Sequence, residues 1–492
     1  MKLNYRRTFL IGLAFLSISA FWQTYDNIIP LMLQGTFGLG ETATGVLMAM
    51  DNVLAIVLLP VFGALSDRVD TRFGKRMPFI AAGTALAVFF YMVLAAADRS
   101  ANLPLFLAAL FLLLIAMGTY RSPAVALMPD LTPHMLRSKG NAVINLMGAV
   151  GGVYALVMIQ LLVTDQNETL PYTEAALARL SESAGGIAEG MKRMNYTPLF
   201  VSVAALMVAA VVVLAATIRE KKLREQTEGE AAQPEEKSAQ TERDGAVWPE
   251  EKAVQSDRMA AETRGRDGTA GTAQAKRDGA KAAAPRAKMS PAVRRSMVFL
   301  LLSIFLWFAA YNAVTTAFSR YARVVWGLAD GGFASCLMIA TVAAILSYLP
   351  IGQLSGRIGR KKTILLGIAL MSLCYLAAIF ARTYAPWING AFALIGVGWA
   401  AINVNSYPMV VEMSRGADIG KFTGTYYTFS MTAQIFTPIF SGLLLEHVSY
   451  ATLFPYALCF SLASFATMLQ VRHGDVKPLR KKSVLEHFDV ED

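Results

Sequence analysis

GALSDRVDTRFGKR, residues 63–76, closes one long apolar run and opens the next. GQLSGRIGRKK, residues 352–362, does the same far down the chain. Each stretch begins Gly-x-Leu-Ser. Each ends in a glycine followed by basic residues, Gly74-Lys75-Arg76 in one and Gly359-Arg360-Lys361-Lys362 in the other. A second pair of marks repeats with them: Asp130 leads Lys139, and Glu412 leads Lys421, by the same interval. Matching loops of this kind mark a membrane protein built from two related halves.

The runs around these loops have the length the reading needs. A helix crosses the bilayer core with about 20 apolar residues. Twelve such segments are predicted, at 8–33, 43–65, 78–97, 103–128, 141–163, 197–217, 297–318, 333–354, 363–381, 387–411, 421–445 and 450–470. The composition agrees, with 55% hydrophobic and 16% charged residues, where a soluble domain carries about 25% charged. The fold class expected is all-α integral membrane, twelve transmembrane helices in two pseudo-symmetric six-helix bundles. The domains expected are a first bundle over 1–218 with an external segment 164–196, a charged disordered linker over 219–296, a second bundle over 297–472 and a tail over 473–492. Within 164–196 the stretch Glu174–Arg193 reads as a helix-like external cap, and the linker reads as helical only near 219–226.

Lys and Arg are crowded into the short segments on the side of the N-terminus. The opposite short loops hold Arg99, Arg179, Lys192, Arg193, Arg320, Arg323 and Arg382. The positive-inside rule then places both termini in the cytoplasm. Lys2, Arg6 and Arg7 before the first run resemble a signal peptide. The run is too long for one, so it reads as an uncleaved first helix. The net charge of +10 is scattered in loops rather than gathered on one face, which argues against a nucleic-acid partner. Cys336, Cys374 and Cys459 lie in apolar runs without a paired spacing, so neither a disulfide nor a metal site is expected.

The spelling SDRVDTRFGKRMPFI, from Ser66, resembles the loop motif of the major facilitator superfamily. Within that superfamily it is similar to the sucrose–proton and glycoside–pentoside–hexuronide symporter branches, as is RSPAVALMPDLT at 121–132. The resemblance implies alternating access to a central site, with a sugar as substrate. It also implies a cytoplasmic gate formed by Asp67, Arg68, Arg76, Asp130 and Arg137, and in the second half by Arg357, Arg360 and Glu412. Val125 stands where the plant sucrose symporters carry an arginine linked to sugar binding, which argues against sucrose itself.

Ionisable and amide side chains inside a membrane are costly and carry function by default. Asp51 lies near mid-membrane depth in the second span with Asn52 beside it. It is the first candidate for ion coupling, with a buried structural hydrogen bond as the alternative. Asp26 lies nearer the outer end of the first span, with Trp22 one turn away and Gln23 and Asn27 flanking the face. A ring for apolar C–H faces beside groups for hydroxyls suits a sugar, with a carboxylate hydrated at the external mouth as the alternative, and Asp26 is the second candidate for ion coupling. Arg121 either pairs with these carboxylates or an anionic substrate, or snorkels towards the cytoplasm. Tyr311, Asn312, Asn403 and Gln434 are the second-half candidates, with interhelical glue as the alternative for the amides.

The sequence holds no phosphate loop and no hydrolase or metalloprotease motif, so an enzyme or an ATP-driven pump is not expected. The function expected is proton-coupled symport of a sugar or glycoside by a monomer in a bacterial-type inner membrane. Sodium is an alternative ion, and no cofactor is called for. Two other readings stay open: an exporter of drugs or metabolites on the same fold, and a non-transporting sensor or scaffold.

Overall fold

The computed structural model describes residues 4–132, 137–163, 169–171, 192–223, 290–328, 331–413 and 419–475. Twelve helices among them are long and apolar enough to cross a membrane. In chain order they are α1 (Tyr5–Gly35), α2 (Glu41–Arg68), α3 (Met77–Arg99), α4 (Leu103–Asp130), α5 (Arg137–Leu162), α6 (Thr197–Thr217), α7 (Pro291–Val324), α8 (Phe333–Ile358), α9 (Arg360–Phe380), α10 (Trp387–Met413), α11 (Ile419–His447) and α12 (Leu453–Leu469). The chain divides into two units. All twelve helices belong to the one made of Met1–Arg224 and Pro291–Asp492, and Glu225–Ser290 makes up the other.

Local chemistry sets several helix starts. The Asn4 side chain accepts from the Arg7 N–H at 3.1 Å, and the Asn102 side chain accepts from Leu105 at the same distance. Each satisfies a donor the first turn would leave orphaned. Proline in the first turn of α3, α4 and α6 starts those helices at no cost in hydrogen bonds. In the first six helices α1 packs on α5, α3 on α4, and α6 on α1 and α3. In the second six α8 and α9 pack on α10, and α12 packs on α7 and α9. The two sets meet along α2 with α11, α5 with α8, and α1 with α7.

Two expectations are corrected. Helix α7 begins at Pro291 and runs to Val324, beyond 297–318 at both ends. Its 34 residues span about 50 Å at ~1.5 Å each, well over the ~30 Å bilayer core. The overshoot carries Arg294 and Arg295 at one end and Arg320 and Arg323 at the other, and at least Arg320 finds a partner there. The helix-like reading of Glu174–Arg193 also fails where it can be checked. Lys192–Met194 is a β-strand, paired antiparallel with Thr169–Pro171. Each strand is three residues long and closes the neck of the loop. Residues 172–191 lie outside the described residues, as does most of the predicted linker.

Helix α2 changes character along its length. Glu41, Thr44, Gly45, Met48 and Ala49 are buried, whereas no residue from Asp51 to Leu65 is. Val53, Ile56, Val57, Val61 and Leu65 are all exposed. Helix α2 is therefore packed against its neighbours near residue 41 and largely unpacked towards residue 65, the end where the described termini lie.

Candidate functional site

Trp22 presents its ring to the Arg121 guanidinium, which stands 5.6 Å from the ring centroid. That geometry is a cation–π contact, favoured where water is excluded. Arg121 acts electrostatically on both Asp26 and Asp51, and Asp51 acts on Asp26 and Tyr25. Asp51 Oδ1 accepts the Asn52 backbone N–H at 2.6 Å and the Asn52 side-chain N–H at 2.7 Å. Asn52 thus orients Asp51. The structure brings α1, α2 and α4 together here. Among the described residues Arg121 holds neither carboxylate in ion-pair contact.

The second half completes the site from α7 and α10. Asp26 acts electrostatically on Tyr311. Tyr311 stacks on Trp399 with ring centroids 3.8 Å apart and planes 23° from parallel. Trp307 and Phe308 meet the same Trp399 edge-on, at 5.3 and 6.2 Å. Trp399 was not among the sequence candidates. A tryptophan in an apolar run looks like core until the aromatics of α7 are seen around it.

Several polar atoms around this site are buried without a partner: Trp22 Nε1, Tyr25 OH, Asn27 Oδ1 and Asn312 Nδ2. Unsatisfied donors and acceptors are costly in a protein interior, and each one calls for an explanation, a bound polar group among them. Asn27 Nδ2 donates to the Gln23 carbonyl at 2.8 Å, so only its oxygen is left over. Gln23, Asn403 and Gln434 are half-buried. Asn405, two residues from Asn403, is fully buried and tied to Ser355 and to the Ala401 carbonyl. It is therefore interhelical glue, which leaves Asn403 as the amide on the other face.

The loop motif forms a separate network at the end of the helices that bears the termini. Arg76 donates from Nε to Asp130 at 2.8 Å, from Nη2 to Asp67 and from Nη1 to Ser66. Its side chain is 7% exposed, whereas that of Asp67 is 62% exposed. All these partners lie in the first six helices. Arg68 is exposed, and the Arg137 side chain lies outside those described. In the second half Arg360 pairs with Glu412, and Arg357 is exposed.

Glu220 is the residue here that the sequence hid, since it falls in the segment read as a linker. It is 1% exposed and accepts the backbone N–H groups of Lys75, Arg76 and Met77 at 2.7 to 3.0 Å. Carboxylate capping of a helix N-terminus is favoured by both hydrogen bonding and the helix dipole. Gly74, at φ +114°, lies so close that a Cβ would strike Glu220. The second half repeats the device. Asp475 accepts the Lys361 N–H at 2.9 Å beside Gly359, at φ +95°. The only sequence signal for either was its place just after the last span of a half. At the opposite end, buried Glu41 and Arg320 and half-buried Tyr450 form a cluster that the sequence also did not single out.

The model for the Major Facilitator Superfamily matches residues 11–407 and again 326–488. Among curated proteins the chain is 28% identical over 100 residues to the chloramphenicol resistance protein CraA of Acinetobacter baumannii, covering 20% of this chain and 24% of that protein. It is 30% identical over 107 residues to the methyl viologen resistance protein SmvA of Salmonella typhimurium, covering 22% and 21%. The matches thus span less than a quarter of either relative. Among solved structures a proton-dependent oligopeptide transporter superposes with TM-score 0.60 at 11% identity, over 95% of this chain and 97% of that one. A mutant of the nucleoside transporter NupG gives 0.59 at 13%, over 95% and 100%. An inward-facing bacterial homologue of the iron transporter ferroportin gives 0.58 at 12%, over 96% and 99%. At these identities the likeness is one of fold. Twelve membrane-spanning helices, halves that repeat their loops and caps, and a family match across the chain agree: this multi-pass membrane protein belongs to the Major Facilitator Superfamily.

Proposed function

We propose that this transporter carries a sugar or glycoside together with a proton, by alternating access, and that it catalyses no covalent chemistry. The supporting observation is the charge balance of the central site. Two carboxylates, Asp26 and Asp51, share one guanidinium, Arg121, between them. One negative charge is left over inside the membrane, where uncompensated charge is expensive. A proton neutralises it, and the substrate enters beside Trp22 with its ring faces towards Trp22 and Tyr311. The buried Trp22 Nε1 and Asn312 Nδ2 donate to hydroxyls, and Asn27 Oδ1 accepts from one. The protein works as a monomer in a bacterial-type inner membrane with both termini in the cytoplasm. Sodium is the alternative ion.

The experiment is uptake of labelled mono- and disaccharides into proteoliposomes with and without an inward proton gradient. Accumulation of one sugar driven by the gradient supports the reading, and indifference to every sugar overturns it. A second reading, export of drugs or metabolites, is favoured by the resistance proteins among the relatives. It expects gradient-driven extrusion of an aromatic compound from inverted vesicles.

Trp22→Phe is a milder probe of the same site. It keeps an aromatic face and removes the unpartnered N–H. Loss of one such bond, worth about 0.5–1.5 kcal/mol, is expected to raise KM roughly two- to twelve-fold with little change in maximal rate. An unchanged KM in the uptake assay would place Trp22 outside the substrate's reach.

A further inference from the structure

At the end of the helices opposite the termini, Glu41 opens α2 and lies 4% exposed. Arg320 of α7 donates to it from Nε at 2.9 and 3.1 Å and is itself 5% exposed. The Tyr450 hydroxyl, just before α12, donates to the same carboxylate. Arg320 Nη1 also donates to the Thr316 carbonyl at 2.7 Å, which fixes the guanidinium on its own helix. Glu446 of α11 accepts the Thr42 N–H at 2.7 Å and so caps α2 from the other half. Every one of these contacts joins the first six helices to the second six, apart from the Thr316 anchor. The loop-motif network differs, because Arg76, Asp67, Asp130 and Glu220 all belong to one half.

The seam beneath the cluster is close-packed at its backbones. A Cβ on Gly45 would strike the Pro438 carbonyl oxygen, and one on Gly442 would strike that of Glu41. Helices α2 and α11 therefore touch with nothing between them. Yet the first turn of α2, beside the seam, also traps polar atoms: Thr42 Oγ1 and Thr44 Oγ1 are buried without partners. A permanent interior would select apolar groups at such positions. A surface that is wet in one state and dry in the other keeps them.

We infer that the Glu41–Arg320–Tyr450 cluster is the lock that closes this second mouth of the transporter. When it parts, the α2–α11 seam opens to water while the Arg76 network stays intact. The inference rests on the transporter reading of the fold and on no particular substrate. The Arg320–Glu41 pair, which joins the halves, thus sits at the far end, and the loop motif positions α2 and α3 within their own half. A buried pair is a suitable switch. Removing one member strands a charge and is strongly unfavourable, whereas replacing both by neutral groups is far milder.

The test measures wetting of the seam directly. In the full chain with Cys336→Ser, Cys374→Ser and Cys459→Ser, Thr44→Cys is the reporter, because Thr44 is fully buried and adjoins Gly45, whose backbone meets Pro438 of α11. Ala400→Cys, equally buried within the second half, is the control for general loosening. The purified protein in detergent is labelled with a maleimide, so no assumption about orientation is needed and no substrate is used. Glu41→Gln is expected to raise the Thr44→Cys rate about ten-fold or more and to leave Ala400→Cys slow, a shift of about 1.4 kcal/mol in population. Adding Arg320→Met to Glu41→Gln is expected to slow labelling again. A Thr44→Cys rate unmoved by Glu41→Gln overturns the lock. If Glu41→Gln exposes the control as well, Tyr450→Phe decides, since it keeps both charges: a selective rise of about three-fold supports the lock, and no rise overturns it. Sugar specificity plays no part in either result, so failure here and failure of the sugar reading are separable.

Discussion

Asp51→Asn is expected to abolish uphill accumulation and to leave exchange of substrate across the membrane intact. A pH gradient of one unit is worth about 1.4 kcal/mol, so one coupled proton sustains at most about ten-fold accumulation. In the Asn variant the ratio should fall to about one at any gradient, while counterflow of labelled against unlabelled substrate continues at near its normal rate. The position of Asp51 is the reason. It stands where α2 passes from its buried stretch to its exposed one. A group on that boundary faces one mouth or the other as the halves move. The substitution is nearly isosteric and its amide still accepts from Asn52, so packing should not suffer. Asp26→Asn is the necessary companion, because the two carboxylates are electrostatically coupled and share Arg121. Uphill accumulation kept by Asp51→Asn and lost by Asp26→Asn would move the coupling site to α1. Accumulation kept by both would remove the carboxylates from the coupling step altogether.

The spans were legible because lipid imposes a uniform requirement: any segment that crosses must be long and apolar, and its neighbours in sequence cannot change that. The repeat was legible because it is written in charges at helix ends. The parts that were not legible depend on distant partners. Arg320 reads as one more loop arginine until Glu41, 279 residues away, is found against it. Glu220 sits in the run Arg219-Glu220-Lys221-Lys222, which by composition is a solvated linker. Only the open N-terminus of α3 makes it a buried group. The end of the external segment misread for another reason. Lys192–Met194 has no strand pattern of its own, and three residues opposite Thr169–Pro171 suffice to pair it. At the central site the first-half residues were visible, because a carboxylate inside an apolar run is conspicuous. Trp399 was not, because an aromatic inside an apolar run is ordinary. Arg121 was read as a possible ion-pair partner, and the structure places it over a ring instead, in electrostatic reach of both carboxylates.

Glu220→Ala should be the most damaging single change to stability outside the membrane-spanning segments. Three backbone donors, on Lys75, Arg76 and Met77, end on its carboxylate within a buried pocket. Alanine leaves them to whatever water can enter. An ordinary cap is worth about 1 kcal/mol and a charged, buried one more, so a loss of about 2–4 kcal/mol is expected. Glu220→Gln keeps one acceptor oxygen and loses the charge that faces the α3 dipole, so it should cost less, about 1–2 kcal/mol. Asp475→Ala supplies the comparison within the same molecule. Its carboxylate performs the matching role on α9 but is exposed, and water replaces it readily. Thermal unfolding of the purified protein in detergent should therefore rank the variants, with Glu220→Ala lowest, Glu220→Gln next and Asp475→Ala closest to the parent. Equal effects at Glu220 and Asp475 would mean that burial contributes nothing to the first cap. The consequence reaches the loop motif, because the N–H groups that Glu220 holds belong to the residues around Arg76. If the first turn of α3 frays, the guanidinium that joins Asp67 to Asp130 loses its mounting, although none of those three side chains has changed.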